Sequence, residues 1–427
     1  MLRINFPCLA VALAALSLFA TTNARAVEIA KRQETGYHWV DTWTSMPQLV
    51  ESNNMPPSQF TSGGVFKDAT LRQTLHISVG ALKIKLAISN TFGGSDLPIT
   101  AISVGLPTGG KAGVSGIQDS PLVGVTFSGK ESVTVPRGQV IVSDEIIFPV
   151  TAQQMITVSL YSKSGQSGSS ITGHPGSRTT SWMQSGNRVN STTMSGSSTA
   201  HWYFVSAVQA YAPTDTSALM ILGDSITDGR GSTDNENNRW PDLLLARLQS
   251  SNITNIAINN QAAGGNTVLS GGLGPPLMQR YTRDAITQPG AKYVMIFEGV
   301  NDIGGGGSSS GTQQSIGDNL IKAFTQITTD AHKAGLITIG ATITPFGGNG
   351  QGYSNPEREK TRQRVNSWIL GQQGKAFDHT VDFAKIVANA ATPSQLDSKF
   401  DGGDHLHPNV AGYQAMANGF PVDIFKA

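Results

Sequence analysis

Ser225 stands in Gly223-Asp224-Ser225-Ile226-Thr227-Asp228-Gly229, directly after the apolar run at 218–222, and near the other end of the chain comes Asp404-His405-Leu406-His407-Pro408. A serine hydroxyl is a weak nucleophile until a base takes its proton, and an imidazole titrating near neutral pH can accept that proton and return it to a leaving group. Asp404 precedes His407 by three residues. One tight turn lets such a carboxylate reach the other ring nitrogen, fix the tautomer and stabilise the imidazolium. His405 also adjoins Asp404, and Asp401 could serve as the orienting acid, but the spacing and the following proline favour the pair Asp404 and His407. Pro408 disfavours the α conformation at His407 and suits the first turn of a helix, so the histidine is expected at a helix entrance.

Attack of an alkoxide on a carbonyl makes an oxyanion, which preorganised N–H donors stabilise. The expected donors are the backbone N–H groups of Ser225 and Gly265 and the side-chain amide of Asn301, in Gly264-Gly265-Asn266-Thr267 and Gly299-Val300-Asn301-Asp302. A glycine lets the main chain approach the substrate oxygen without a Cβ in the way. Gly264 is the rival to Gly265. Taken singly, each of these residues is more often a turn or hinge residue, and only their order along the chain favours chemistry. Asp224 and Asp302 are expected to organise loops by accepting backbone N–H bonds. His38, His76, His201, His332 and His379 are scattered and read as structural. No HExxH-type spacing occurs, so neither a metal nor a cofactor is expected.

Such residues must be carried on elements that bring them together. After Pro213 apolar runs alternate with helical stretches: strands at 218–222, 253–258, 293–297, 336–343 and 380–383, and helices at 240–248, 315–333, 356–370 and 408–416. That rhythm predicts an α/β unit over 213–427, a flavodoxin-like doubly wound parallel sheet with both faces covered. Ligands bind beyond the carboxyl ends of such strands, where Ser225, Gly265, Asn301, Asp404 and His407 would converge. From about 37 to 211 the pattern instead has period two, as in Leu82-Ile84-Leu86-Ile88 and Ile156-Val158-Leu160, which predicts an antiparallel, jelly-roll-like β-sandwich over 33–212. Residues 162–200, rich in Ser, Gly and Thr, read as a long loop. Within it His174, Arg178 and Trp182 could cap a pocket, and His174, Arg178 and Asn90 are candidate pocket walls.

The blocks GDSITDG, GGNT, GVND and DGGDHLHPN, in that order, resemble those of the GDSL or SGNH hydrolases. The resemblance spans about 215–427 and implies a nucleophile at Ser225, oxyanion donors at Gly265 and Asn301, and an orienting pair at Asp404 and His407. Ile226 replaces the family's usual leucine. Val40-Asp41-Thr42-Trp43, Leu71-Arg72-Gln73-Thr74 and Ser89-Asn90-Thr91-Phe92-Gly93 resemble the N-terminal β-domain of secreted fungal and actinobacterial members. The implied activity is hydrolysis of carboxylic esters through an acyl-serine intermediate.

Charge and targeting narrow the partners. A formal net charge of +1 with 14% charged residues provides no basic field for nucleic acid, so the expected partner is a small-molecule or polysaccharide ester. Arg3, the apolar run at 9–19 and Ala24-Arg25-Ala26 have the pattern of a secretory signal peptide over 1–26 that is too short to span a membrane, with a possible propeptide to Arg32. The one cysteine, Cys8, falls inside it, so the secreted chain is expected to hold no disulfide. Asn190 and Asn252 head glycosylation sequons. Export, the absence of a greasy lid and the sandwich favour a carbohydrate O-acyl (acetyl) esterase. A lipase or lysophospholipase would instead need an apolar pocket, for which Leu269, Leu273, Leu277 and Met278 are the candidates. A non-catalytic secreted binding protein is the alternative of another class.

Overall fold

Period-two alternation builds the strand Ala81–Ser89, which buries Ile84, Leu86 and Ile88, while Leu82 lies exposed at its start. This strand belongs to a computed structural model that describes residues 36–426, so the expected signal peptide, propeptide and Cys8 lie outside the described residues. One antiparallel sheet runs in the order Tyr37–Thr44, Val205–Pro213, Ala81–Ser89 and Ile146–Val150, with Val140–Val142 also pairing with Ala81–Ser89. A second runs Ser197–Thr199, Ser181–Ser185, Ala69–His76, Met155–Ser162, Ala101–Pro107 and Ile117–Gly124. Their inner faces share one apolar cluster, with Leu86 and Ile88 from the first and Leu71, Leu75, Val158 and Leu160 from the second. The result is a β-sandwich.

The stretch 162–200 departs from the expected loop, because it holds the strands Thr172–His174, Ser181–Ser185 and Ser197–Thr199. Met183 pairs with Leu71 and Gln184 with Thr70, and Met183 is fully buried. With so few apolar anchors the period was invisible among the small residues. A buried cation does the rest: Arg72, wholly out of solvent, donates to Ser159 Oγ and to the carbonyls of Ser115, Arg188 and Ser191.

Beyond Pro213 five parallel strands, Ser217–Gly223, Ile256–Ala262, Ala291–Phe297, Ile337–Ala341 and His379–Val381, lie in the order second, first, third, fourth, fifth. That is the flavodoxin-like order, whose switch point falls between the first and third strands. Helices Trp240–Ser250, Ser310–Lys333, Pro356–Gly371 and Val410–Gly419 cover it. Ser310–Lys333 buries Leu320, Ala323, Phe324, Ile327 and Ala331 at helical spacing and is capped by Ser309 Oγ, which accepts from Thr312 N–H.

Each strand's bounds differ from expectation by a residue or more, the fourth ending at Ala341 instead of 343, and two of the shifts have a visible cause. The second strand spans 256–262 in place of 253–258, because Asn259 and Gln261 are buried within it despite their polarity, and Asn259 Nδ2 donates to Asp41 O at 2.8 Å across to the sandwich. The fifth ends at Val381, because Asp382 accepts from Lys385 N–H and starts the helix Phe383–Val387. The sandwich joins the α/β unit directly: Ser78 Oγ donates to Ile258 O, Asp41 N–H to Pro289 O, and Val40 packs in the α/β core. Among the described residues no helix is long and apolar enough to cross a membrane.

Arg280 is fully buried beneath the strand ends. Its guanidinium donates to Gly223 O, Gln261 O and Asn266 Oδ1 and faces Asp284 and Glu298. Burial pushes the Glu298 carboxyl up to about 8, although Arg280 opposes it. Arg280→Met strips donors from all these acceptors, and is expected to lower the unfolding free energy by about 3–5 kcal/mol in urea titrations.

Candidate active site

Asp224 follows the first parallel strand and caps the short helix Ser225–Asp228, where its Oδ1 accepts from Ile226 N–H. The turn presents Ser225 Oγ 2.8 Å from His407 Nε2. His407 Nδ1 lies 2.7 Å from Asp404 Oδ2, while Asp404 Oδ1 accepts from the N–H groups of Leu406 and His407. A carboxylate can only accept, so Nδ1 carries the proton and the unprotonated Nε2 faces the hydroxyl. The hydroxyl, imidazole and carboxylate therefore form one hydrogen-bonded line. Burial works against the Asp404 carboxylate, yet the backbone and ring of His407 and the Leu406 N–H hold it below its ordinary range. Burial also lowers the His407 imidazole; Asp404 opposes this in part, and Arg230 and Arg178 lower it further.

The two rivals are accounted for by their own contacts. Asp401 accepts from the N–H groups of Gly403 and His405 and faces His405 Nδ1, leaving His407 to Asp404. Pro408 does not open the following helix as expected. It bridges to Asp401, Gly402 N–H donates to His407 O, and Asn409 caps Val410–Gly419 by accepting from Gly412 N–H.

The second and third strands bring the remaining candidates to the same cavity, of about 480 Å³. Gly265 and Asn301 line it beside Ser225 and His407. Gly264 N–H is bonded to Asp228 Oδ2 at 2.9 Å, which leaves the Gly265 N–H as the glycine donor of that turn. Gly265 has a φ of +70°, a left-handed conformation that a side chain would strain. Asn301 Nδ2 donates to Asn266 O at 2.7 Å, its Oδ1 accepts from Tyr353 Oη at 3.0 Å, and its second amide hydrogen remains for the cavity. Asp302 organises the neighbouring loop as expected, accepting from Val268 and Leu269 N–H.

The candidate pocket walls separate into three cases. Arg178 lines the cavity. His174 lies buried behind it, with Nε2 2.8 Å from Asp228 Oδ1. Asn90 is not among the lining residues, since its amide is spent inside the sandwich on Ser95 O, Val135 O and Gln166. Trp182 does not line it either, and donates to Gly113 O. Of the apolar candidates only Leu273 borders Ser225's cavity, Leu269 borders an adjacent one, and Leu277 is fully buried in the core with Met278 packed against it. Asn190 and Asn252 are both exposed.

Sequence reasoning missed several lining residues. Tyr353, in Gly350-Gln351-Gly352-Tyr353, carried a weak signal as a lone aromatic in a glycine-rich turn after the fourth strand. Glu51 carried none, and His201, read as structural, also lines the cavity.

A family model described as GDSL-like Lipase/Acylhydrolase family matches residues 221–415. The α/β unit belongs to that family. Ester hydrolysis is therefore its class of activity. Its architecture is similar to that of a solved acetylxylan esterase from Geobacillus stearothermophilus, 22% identical, covering 50% of this chain and 97% of that one at a TM-score of 0.36. A putative lipolytic protein of the G-D-S-L family from Desulfitobacterium hafniense is 19% identical, covering 48% and 97% of the two chains at a TM-score of 0.35. A GDSL-like lipase from Bacteroides thetaiotaomicron is 16% identical, covering 50% and 89% at 0.36. No curated protein matches the chain.

Tyr353→Phe removes the one hydroxyl that orients the Asn301 amide. Loss of a bond worth about 1 kcal/mol predicts a fall of about fivefold in kcat on an activated ester, with KM nearly unchanged, measured by steady-state kinetics.

Proposed function

We propose that this chain is a serine esterase that hydrolyses carboxylic esters through an acyl-serine intermediate, with acylated carbohydrate as its substrate class. The observation that carries the reading is the unbroken line of hydrogen bonds from Ser225 Oγ through His407 to Asp404, at 2.8 and 2.7 Å, opening into a cavity. In the first half-reaction His407 Nε2 takes the proton as Ser225 Oγ attacks the ester carbon, and the tetrahedral oxyanion receives the N–H groups of Ser225 and Gly265 and the Asn301 amide. His407 then gives its proton to the departing alkoxide. Water repeats the sequence to release the acid.

The polar walls support carbohydrate over lipid. Gln48, Glu51, Asn54, Arg178 and His201 all reach the cavity from the sandwich side, whereas the apolar side chains expected for an acyl-chain pocket largely lie elsewhere. Such groups match the hydroxyls of a sugar ring. Export by the signal-like residues 1–26 fits a substrate too large to enter a cell.

A fluorophosphonate probe should label the wild type and not Ser225→Ala, and that variant should lose roughly 10⁶ in turnover of 4-nitrophenyl acetate. Retained hydrolysis by Ser225→Ala would refute the reading. Acetylated xylo-oligosaccharides should be turned over with higher kcat/KM than long-chain acyl esters, and the reverse order would reassign the substrate to lipid. The pH profile follows from the lowered His407 pKa. The neutral ring survives to more acid pH, so the acid limb of kcat/KM on a neutral ester should have its midpoint below the ordinary histidine value of about 6.5.

A further inference from the structure

The proposed reaction leaves two buried titratable side chains behind the nucleophile without a task. Asp228 ends the Ser225–Asp228 helix, and its side chain is only 4% exposed, as is that of His174. The two carboxylate oxygens serve different parts of the chain. Oδ2 accepts from Gly264 N–H at 2.9 Å, and Oδ1 lies 2.8 Å from Nε2 of His174, which comes from the sandwich strand Thr172–His174.

The protons of this chain can be counted. His174 Nδ1 lies 3.0 Å from Met46 O, and a carbonyl can only accept, so Nδ1 is protonated. The 2.8 Å contact between Nε2 and Oδ1 then needs a second proton between them. The ring also stacks beside Trp202, with centroids 5.9 Å apart. The sandwich sets its orientation at one edge, through Met46 O, and on one face, through Trp202, which leaves the other edge for Asp228. The loop that follows closes on the same carboxylate, because a Cβ at Gly176 would overlap Asp228 Oδ2.

We infer that His174 is a positioning residue for ester hydrolysis: through Asp228 it fixes the Gly264 amide, and with it the turn that aims the Gly265 N–H at the oxyanion. The inference rests on the reading under Proposed function. Gly264 N–H is the last backbone donor before the Gly265 donor, so a rotation of the Asp228 carboxylate turns the intervening peptide plane. The turn's other end is held separately, by Leu273 N–H on Gly265 O at 2.9 Å and by Asn266 N–H on Ala263 O at 3.3 Å. The Asp228 end is the one whose support comes from the sandwich. The β-sandwich therefore completes the oxyanion site from behind as well as walling the cavity in front.

The test uses the full chain and 4-nitrophenyl acetate. His174→Phe keeps a ring beside Trp202 but holds no proton for Asp228, and a misaimed donor predicts a fall of about 10- to 100-fold in kcat with KM changed less than about threefold. His174→Gln, whose amide can donate to Asp228, should recover kcat to within about fivefold of wild type. Gly176→Ala displaces the same carboxylate while leaving residue 174 a histidine, and should reproduce the loss if the phenylalanine variant does not fold. Thermal melting separates these effects from unfolding. Wild-type kcat in a folded His174→Phe or Gly176→Ala protein overturns the inference. So does a rise in KM at unchanged kcat, or a glutamine variant no better than phenylalanine. Probe labelling of Ser225 in the wild type reports on the esterase reading alone, so the two can fail independently.

Discussion

The site depends on holding the carboxyl ends of three parallel strands at fixed separations, and one buried guanidinium does this. Arg280 donates to the last residue of the first strand, to the penultimate residue of the second and to the side chain of Asn266, and it faces Glu298 just after the third. Ser225, Gly265 and Asn301 follow those same strands within a few residues. A planar fork with five N–H donors can satisfy acceptors from several directions, whereas an ammonium on a flexible stem could not fix their spacing. The candidate oxyanion donors are thus set by a residue that does not line their cavity.

Burial governs the electrostatics of the layer below the site. Asp224 is pushed up to about 7, Asp302 to about 6 and Glu298 to about 8, mainly because charging a carboxyl away from water is costly and in part, for Asp224 and Glu298, because neighbouring acids repel. Burial thus disfavours the charged form of each of these groups. An oxyanion forming above them meets less repulsion than a count of acidic residues would suggest. His407 gains from the same burial, which favours the neutral ring that a base requires.

The sandwich and the α/β unit are joined by polar bonds and a shared core. Asn259 and Ser78 bond main-chain carbonyls across the junction, and Val40 packs where a side chain at Gly290 would overlap it. This junction puts Arg178 and His201 on the cavity wall and His174 behind the nucleophile. A sandwich so attached is part of the pocket.

The doubly wound sheet was legible because its apolar runs are continuous and its helices periodic, and the candidate triad was legible because Asp404 and His407 are neighbours in sequence while Ser225 follows a buried strand. Local spacing carries that information. The strands within 162–200 were hidden because they are held by backbone pairing, Ser181–Ser185 with Ala69–His76 and Ser197–Thr199, and Thr172–His174 with Gln48–Leu49 and Trp202–Tyr203, and by the Arg72 bonds, none of which leaves a period in the composition. The second strand slid past its apparent end because Asn259 and Gln261 are buried by partners remote in sequence. Tertiary structure alone decided that His174 turns to Asp228, that Asn90 turns inward, and that Leu277 joins the core instead of the pocket. Each is a contact between residues far apart along the chain, and residue type and spacing cannot encode which distant surfaces meet.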